Sequence, residues 1–248
     1  GGSGMEQLFP HEKLEVYGFA LSFAAGAGEL LASWPTQWAV HDQFDRATES
    51  VVTNLTKSAR LRATERGVYC LECSLGSVLE CAACLDVAFR RRLVDSAQVE
   101  SAKKLLQQIA RMEVGLRRSW DHCVKEDRGP YGETEETYFL HESLDVYRRS
   151  LQIHESLGEL WHGGKISRYT RRIDELTTSL TLNIAEGNGR FSSLDHRKFL
   201  GTAEEAGTKL AAYLDLVEAT ATIEVDDSRS YLRRVMAMLA GLKGYLEE

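Results

Sequence analysis

The sequence predicts an all-α protein built from two tandem antiparallel up-down four-helix bundles. One basis is an internal repeat: the segment HEKLEVY at 11–17 returns 130 positions later as HESLDVY at 141–147, and the similarity continues to the C-terminus. A repeat of this size indicates one structural unit used twice. The other basis is periodicity, because apolar residues recur at alternating steps of three and four in four successive segments of each half.

The chain divides at a short segment rich in glycine and acidic residues. Residues 1–8 form a tail that includes an expression scar, Gly1 to Gly4. We expect bundle 1 at 9–120, a linker at 121–138 that contains Gly129-Pro130, and bundle 2 at 139–248. Short connections between the helices favour antiparallel neighbours in each bundle.

The first helix of each bundle has a predicted buried seam, and its positions correspond one to one. They are Leu14, Tyr17, Leu21, Ala24, Gly28 and Leu31 in bundle 1, and Leu144, Tyr147, Leu151, His154, Gly158 and Trp161 in bundle 2. We expect Pro35 to end the first copy and Gly163-Gly164 to end the second. We interpret His154 as a hydrogen-bonded core residue rather than a ligand.

The second helix places an asparagine in its seam in both copies. The seams are Phe44, Ala47, Val51 and Asn54, matched by Ile173, Leu176, Leu180 and Asn183. A polar residue at such a position lowers stability but can fix the register of the helices. Two interpretations remain open, an internal hydrogen bond and a role in binding. Gly187 and Gly189 are expected to close the second copy of this helix.

The third and fourth helices complete each unit. In the third, the seam Cys70, Cys73, Ser77, Cys81, Cys84 and Ala88 corresponds to Phe199, Thr202, Ala206, Leu210, Tyr213 and Val217. Thr64 and Ser193 are its predicted N-caps. In the fourth, Ala102, Leu105, Ile109, Met112 and Leu116 correspond to Leu232, Val235, Leu239, Leu242 and Leu246.

The paired Cys-x-x-Cys motifs resemble a zinc site, but the helical spacing argues against one. The two pairs lie eleven residues apart, or about 16 Å along a helix, and one tetrahedral ion cannot collect them. We therefore expect buried structural thiols. Glu159-x-x-His162 has the spacing of di-iron bundles but lacks the second such motif that those sites need. The sequence predicts no metal, no cofactor and no catalytic residue.

Composition limits the possible partners without naming one. The net charge is −7, and the acidic excess lies entirely in the second half of the chain. This balance argues mildly against a generic nucleic-acid binder. We see no apolar run of the length that a membrane span needs and no signal peptide, so we expect a cytoplasmic protein that does not enter a membrane.

A basic stripe on the fourth helix of bundle 1 is the candidate contact surface. Lys104, Arg111 and Arg118 recur every seven residues on one side of that helix, and Arg90, Arg91 and Arg92 are expected to extend the patch. An ordinary solvated face and a docking surface for RNA or an acidic protein are both consistent with this pattern.

The segment NIAEGNGR at 183–190 closely resembles the hallmark of the small four-helix-bundle proteins encoded in intervening sequences of bacterial 23S rRNA genes. The repeated HExLxVY motif and GSVLE at 76–80 are also similar to that family, which includes the accessory variability protein of diversity-generating retroelements. The matching residues are His11, Glu12, Tyr17, Asn54, Gly76, Ser77, Glu80, His141, Glu142, Tyr147, Asn183, Glu186, Gly187 and Arg190.

The resemblance implies a non-enzymatic bundle that often assembles into rings, commonly pentamers, with one member acting beside a reverse transcriptase and its RNA. This chain departs from the family as a tandem fusion whose hallmark is split. Bundle 1 keeps the motif around Gly76 but has Lys57 in place of the hallmark glutamate, and bundle 2 has Lys209 opposite Glu80. We expect an interaction or assembly protein that docks a protein partner through helical faces, with a homo- or hetero-oligomer as one form of such an assembly. An RNA-binding accessory factor of a reverse transcriptase is the alternative, and a metal-binding bundle is a more distant one.

Overall fold

The computed structural model describes residues 8–120, 130–131, 137–164, 167–221 and 223–247. Within these residues every regular element is helical, which confirms the all-α prediction. The predicted linker at 121–138 lies mostly outside the described residues, as do the expression scar and Cys123. The domain boundaries drawn from the sequence stay a prediction.

Two groups of helices follow the same order. The first comprises α1 (Glu15–Ser33), α2 (Ala39–Arg60), α3 (Glu65–Arg90) and α4 (Ser96–Ser119). The second comprises α5 (Asp145–Ser156), α6 (Gly158–His162), α7 (Thr170–Asn188), α8 (Ser193–Thr220) and α9 (Asp226–Tyr245). A one-turn 3-10 helix precedes each group, Pro10–Lys13 before α1 and Leu140–Ser143 before α5.

Each group closes into a cycle of four neighbouring helices. In bundle 1, α1 contacts α2 and α4, and α3 contacts the same two helices. In bundle 2, α5 contacts α7 and α9, and α8 contacts the same two. The element that corresponds to α1 is interrupted in bundle 2, because the predicted continuous helix breaks at Leu157 and resumes as α6.

Side chains cap α3, α8 and α4, and the cap of α3 is the one that the sequence predicts. Thr64 caps α3 by accepting a hydrogen bond from the backbone N–H of Gly67, as expected. The cap of α8 is Ser192 rather than the predicted Ser193, since the Ser192 hydroxyl accepts from the backbone N–H of Asp195. Asp95 and Gln98 form a reciprocal capping box at the start of α4.

The predicted seam of α1 is wrong by one residue. The residues that face the core are Val16, Ala20, Phe23 and Ala27, and Leu21 is 47% exposed. In α5 the predicted seam is buried, including Tyr147, Leu151 and His154. The equivalent faces of α1 and α5 therefore differ in exposure, since the face of α5 is buried and that of α1 is partly open to solvent.

The third helix of bundle 1 is buried on nearly every side, which the single-seam prediction did not anticipate. α3 packs against α2 and α4 of its own bundle and against α5 and α7 of bundle 2. Cys70, Cys81 and Cys84 are buried thiols and Cys73 is half-buried, all free. Burial raises the pKa of Cys81 and Cys84 well above the ordinary value, so these thiols stay protonated and apolar.

Two helices are long and apolar enough to pass for membrane spans, contrary to the expectation from uninterrupted apolar runs. In α3 the apolar window is 72% buried inside the fold, as in the central helix of a packed protein. In α1 it is only 22% buried. α1 therefore presents an apolar face that no other described part of the chain covers.

Candidate interaction interface

The two bundles meet at a joint where α3 packs against α5 and α7. Arg91, at the C-cap of α3, lies at its centre with a side chain that is 1% exposed. Its guanidinium pairs with Asp174 of α7, and its Nε donates to Nδ1 of His154 at 3.1 Å. The indole ring of Trp161 lies 3.9 Å from the guanidinium carbon. Burial lowers the pKa of Arg91, and the carboxylate of Asp174 opposes this shift.

This placement corrects the prediction that Arg91 extends a surface patch. The side chain of Arg91 is buried in the joint, where the carboxylate of Asp174 balances its charge. Arg90 pairs with Glu155 of α5 at 2.6 Å, so it also belongs to the joint, and Arg92 is exposed. Lys104, Arg111 and Arg118 are exposed along α4, as predicted. Contact of this stripe with RNA or protein stays a prediction.

His154 has the hydrogen-bonded core role that the sequence suggested, but half of its partners come from the other bundle. Besides the bond from Arg91, its Nε2 lies 3.0 Å from the hydroxyl of Thr181. Burial, followed by the nearby Arg91 charge, holds the pKa of His154 well below the ordinary value. The imidazole is therefore neutral and serves as a structural acceptor for the arginine.

The two halves of the split family hallmark meet at the joint. A Cβ atom on Gly76 would lie 3.0 Å from Oε1 of Glu186 and 3.2 Å from Cζ of Arg190, so a larger residue would push the ends of these two side chains aside. Arg190 donates to Glu186 at 2.7 Å and approaches the sulfur of Cys73 at 3.7 Å. The hallmark residues thus pack bundle 2 against bundle 1.

Two carboxyl groups lie close together beside this contact. Burial, followed by the negative charge of Glu186, raises the pKa of Glu80 to about 8. Burial also raises the pKa of Glu186, while Arg190 opposes the shift. One carboxyl of the pair therefore keeps a proton at neutral pH, which avoids two adjacent buried negative charges.

Of the two glycines expected to close α7, Gly189 does so as its C-cap, whereas Gly187 lies inside the helix. Gly187 lies within the helix, where a Cβ would come 2.7 Å from the Cβ of Phe199. Gly189 is the C-cap, but its φ of −89° needs no left-handed conformation. A Cβ on Gly189 would instead lie 1.9 Å from Cδ1 of Leu79, so the requirement is close approach to α3.

The seam asparagines form the internal hydrogen bonds that one of the two interpretations predicted. The side-chain amide of Asn54 donates to the carbonyl and the hydroxyl of Ser50, each at 3.0 Å. Asn183 donates to the corresponding atoms of Ser179 at 2.8 and 3.2 Å. Both copies repeat the same local bonds, which accounts for these residues without a ligand.

A second polar cluster closes the other side of the joint. The ammonium of Lys103 on α4 lies 2.5 Å from a carboxylate oxygen of Asp86 and 2.6 Å from one of Glu142. The hydroxyl of Tyr147 donates to the other oxygen of Asp86 at 2.6 Å. The HExLxVY motif of bundle 2 therefore joins the C-terminal part of α3. Burial and the Lys103 charge lower the pKa of His141, in the same motif, to about 3.

The joint is head-to-tail, because the two bundles contribute different faces. Bundle 1 uses mainly its third helix, and bundle 2 uses its first and second helices. The corresponding faces at the outer ends are left open. Leu151 is 4% exposed at the joint, whereas its equivalent Leu21 is 47% exposed; Val87 is 0% exposed, whereas its equivalent Leu216 is 40% exposed.

The α1–α2 face and the α8–α9 face are the names we give to these open ends. The α1–α2 face comprises Glu12, Tyr17, Leu21, Lys57 and Arg60, and the α8–α9 face comprises Glu205, Lys209, Asp215, Leu216 and Arg233. Sequence reasoning singled out many of these positions as repeats but could not tell which copy was covered. Only the packing of α3 against bundle 2 makes that distinction.

Comparison with known proteins gives a family match for bundle 1. Residues 12–115 match the family model described as 23S rRNA-intervening sequence protein. No curated protein and no solved structure matches the chain. The relation of bundle 2 to bundle 1 rests on the internal repeat and the shared order of helices.

Proposed function

Through residues 12–115 the chain belongs to the family of 23S rRNA-intervening sequence proteins, and from this premise we propose a non-enzymatic assembly protein that docks through its open helical faces. The partner that docks on these faces is a second copy of the chain, and the α1–α2 face of one copy contacts the α8–α9 face of the next. The observation that carries the proposal is the exposure of Leu21 and Leu216, whose equivalents are buried at the joint.

Polar residues at the two open faces repeat the pairing found at the joint. Where Glu142 meets Lys103 internally, the open ends carry Glu12 and Arg233. Where Tyr147 donates to Asp86 internally, they carry Tyr17 and Asp215. One pair of opposite charges and one hydroxyl–carboxylate pair would therefore face each other if the internal geometry were repeated between copies, although Asp215 already pairs with Arg229.

The hallmark contact is replaced at the open ends by a charge pair. Lys57 occupies the position of Glu186, and Glu205 occupies the position of Gly76, so a lysine and a glutamate would meet in place of the glycine contact. Thr220 stands where Arg91 lies at the joint, so the central ion pair has no counterpart. We therefore expect association between copies to be weaker than the joint and to depend on concentration.

A protein face fits the open side of α1 better than a membrane surface does. α1 carries no lysine or arginine, whereas helices that lie on membranes carry such residues along their polar side. The charged residues of the α1–α2 face lie on α2 and on the 3-10 turn before α1, where they match the α8–α9 face. Binding of the protein to lipid vesicles would count against this proposal.

The test is the oligomeric state of variants in analytical ultracentrifugation over a range of concentrations. Wild type should associate, and Leu21→Asp or Leu216→Asp should each remain monomeric, because each places a carboxylate in the apolar part of the contact. Leu194→Asp is the matched control, since Leu194 is 55% exposed at the start of α8 and lies outside both faces.

A charge exchange makes the test specific for the proposed partner. Lys57→Glu should prevent association by setting two glutamates against each other, and Glu205→Lys should do the same with two lysines. A mixture of the two single variants should associate again in alternating order, because each variant meets an oppositely charged partner at both of its faces. A monomeric wild type at all concentrations, or variants that associate like wild type, would refute docking between copies.

RNA binding by the basic stripe is a second candidate, supported by the exposure of Lys104, Arg111 and Arg118 along one side of α4. Lys104 already pairs with Glu100, which reduces the charge available. If RNA docks there, binding should weaken steeply with salt, and changing all three residues to glutamate should abolish it while helicity is kept. Equal RNA affinity of wild type and triple variant would show that the stripe is an ordinary solvated surface that does not bind RNA.

A further inference from the structure

We propose that Asp86, His141 and Glu142 form a binding site for a divalent transition-metal ion of the zinc type, which ties the two bundles together across the joint. Asp86 comes from α3 of bundle 1, and the other two come from the 3-10 turn that begins bundle 2. One ligand atom from each residue lies within 4.8 Å of the others. An imidazole nitrogen with two carboxylate oxygens is a ligand set that Zn²⁺ accepts, with a further position left for water.

The observation that points to a ligand is the state of His141. This side chain is fully buried, and neither of its ring nitrogens has a hydrogen-bond partner among the described residues. A buried imidazole without a partner is costly, because both nitrogens lose their bonds to water. Coordination of an ion would satisfy one nitrogen at the point where the carboxylates of Asp86 and Glu142 converge.

Charge accounts for why a divalent ion would compete for this position. The ammonium of Lys103 now bridges the two carboxylates, so one positive charge faces two negative ones. A doubly charged ion would neutralise both carboxylates, and they could close around it once the ammonium moves aside. The side chain of Lys103 is 18% exposed, so its ammonium has a route to solvent.

The surroundings also hold one ligand in position. Tyr147 donates its hydroxyl to Oδ2 of Asp86 at 2.6 Å, which leaves the other carboxylate oxygen for the ion. Hydrogen bonds of this kind fix the orientation of metal-ligating carboxylates. The site uses neither the cysteines nor Glu159-x-x-His162, on which the expectation of a metal-free protein was based.

Zinc binding to the full chain tests the proposal. Equilibrium dialysis against zinc chloride at neutral pH should give one ion per chain, and zinc should raise the midpoint of thermal unfolding, because an ion bound only by the folded state stabilises it. His141→Ala should weaken binding by about tenfold or more and remove the thermal shift. His162→Ala is the control, since His162 is exposed on α6 and should leave both readouts unchanged.

A second variant covers the case in which His141→Ala does not fold. Lys103→Met removes the competing ammonium and keeps all three ligands, so zinc affinity should rise by about tenfold. Bound cobalt(II) should lack the charge-transfer absorption of a thiolate ligand. Absence of zinc binding by wild type, equal binding by His141→Ala, or thiolate absorption from cobalt would each overturn the site.

Discussion

At the scale of single residues, an acid buried inside bundle 1 departs most from what its sequence pattern predicts. Glu113 lies on α4 between apolar neighbours and is 1% exposed. The hydroxyl of Ser74 on α3 donates to its Oε1, and no described residue bonds to its Oε2. Burial raises the pKa of Glu113 to about 8, against a partly opposing hydrogen bond from Ser74. The carboxyl is therefore neutral at physiological pH.

This shift predicts a pH dependence of stability with a definite sign. Between about 4.5 and about 8 the unfolded chain loses the proton of Glu113 while the folded chain keeps it. The contribution of Glu113 to stability is therefore complete below pH 4.5 and falls as the pH rises through this window. At the top of the window Glu113→Gln should exceed wild type in free energy of unfolding by a few kcal/mol, on the order of about 1.4 kcal/mol per unit of pKa shift.

Urea unfolding of both proteins at pH 5 and at pH 8 provides the measurement. The exposed Glu100→Gln on the same helix controls for the change from acid to amide, and its effect should be small at both pH values. A constant difference between Glu113→Gln and wild type across the window would show that the carboxyl is not buried as described.

At the scale of elements, the contact between α3 and α7 depends on small residues at two points. Gly76 gives room on α3 for Glu186 and Arg190, and Gly189 brings the end of α7 onto Leu79. Helices approach this closely only where the contact has no side chain. The family hallmark thus acts as a packing surface. Its glycines are required because α3 and α7 approach each other closely, and not because the backbone adopts an unusual conformation.

Substitution of Gly189 should therefore weaken the joint. Gly189→Ala places a methyl group 1.9 Å from Cδ1 of Leu79, which requires α7 or Leu79 to move, and overpacking of this kind costs about 1–3 kcal/mol. Gly201→Ala is the matched control, because a Cβ there meets nothing within 4 Å. Because alanine favours a helix more than glycine does, this change should be neutral or stabilise by up to about 1 kcal/mol.

Thermal unfolding of the two variants separates these outcomes. A lower midpoint for Gly189→Ala with an unchanged or higher midpoint for Gly201→Ala is expected. Two equal midpoints would mean that the end of α7 does not lie against Leu79.

At the scale of the whole molecule, the two bundles are held together by a buried ion pair as well as by apolar packing. Arg91 and Asp174 are each 1% exposed and lie on different bundles. Asp174 also accepts a hydrogen bond from the backbone N–H of Ala39 at 2.7 Å. The surrounding indoles of Trp38 and Trp161 exclude water from the guanidinium. Such a pair fixes the relative position of the bundles and makes each partner costly to remove alone.

Removal of one partner should be far worse than removal of both. Asp174→Ala leaves a buried guanidinium without its carboxylate and should lower the free energy of unfolding by about 3–5 kcal/mol. The double variant Arg91→Met with Asp174→Leu should recover most of that loss, since apolar side chains of similar volume suit the site. Arg171→Ala, which breaks an exposed pair with Glu175, should cost less than about 1 kcal/mol. Equal losses in the single and double variants would contradict a coupled pair.

The sequence by itself determined the helical class, the repeat and the order of the helices. These properties follow from local spacing: apolar steps of three and four, prolines and glycines at helix ends, and capping residues such as Thr64. Sequence spacing also gave the right outcome for the buried thiols of Cys81 and Cys84 and for the exposed stripe that includes Lys104.

Only the tertiary structure decided which of two equivalent faces is covered. Leu21 and Leu151 occupy equivalent positions of the repeat, yet Leu21 is exposed and Leu151 is buried, because α3 packs across bundles against α5. The same packing turned Arg91 from a predicted surface charge into the centre of a joint. Burial by a distant part of the chain leaves no local period in the sequence, and for that reason the interface could be recognised only once the bundles were placed together.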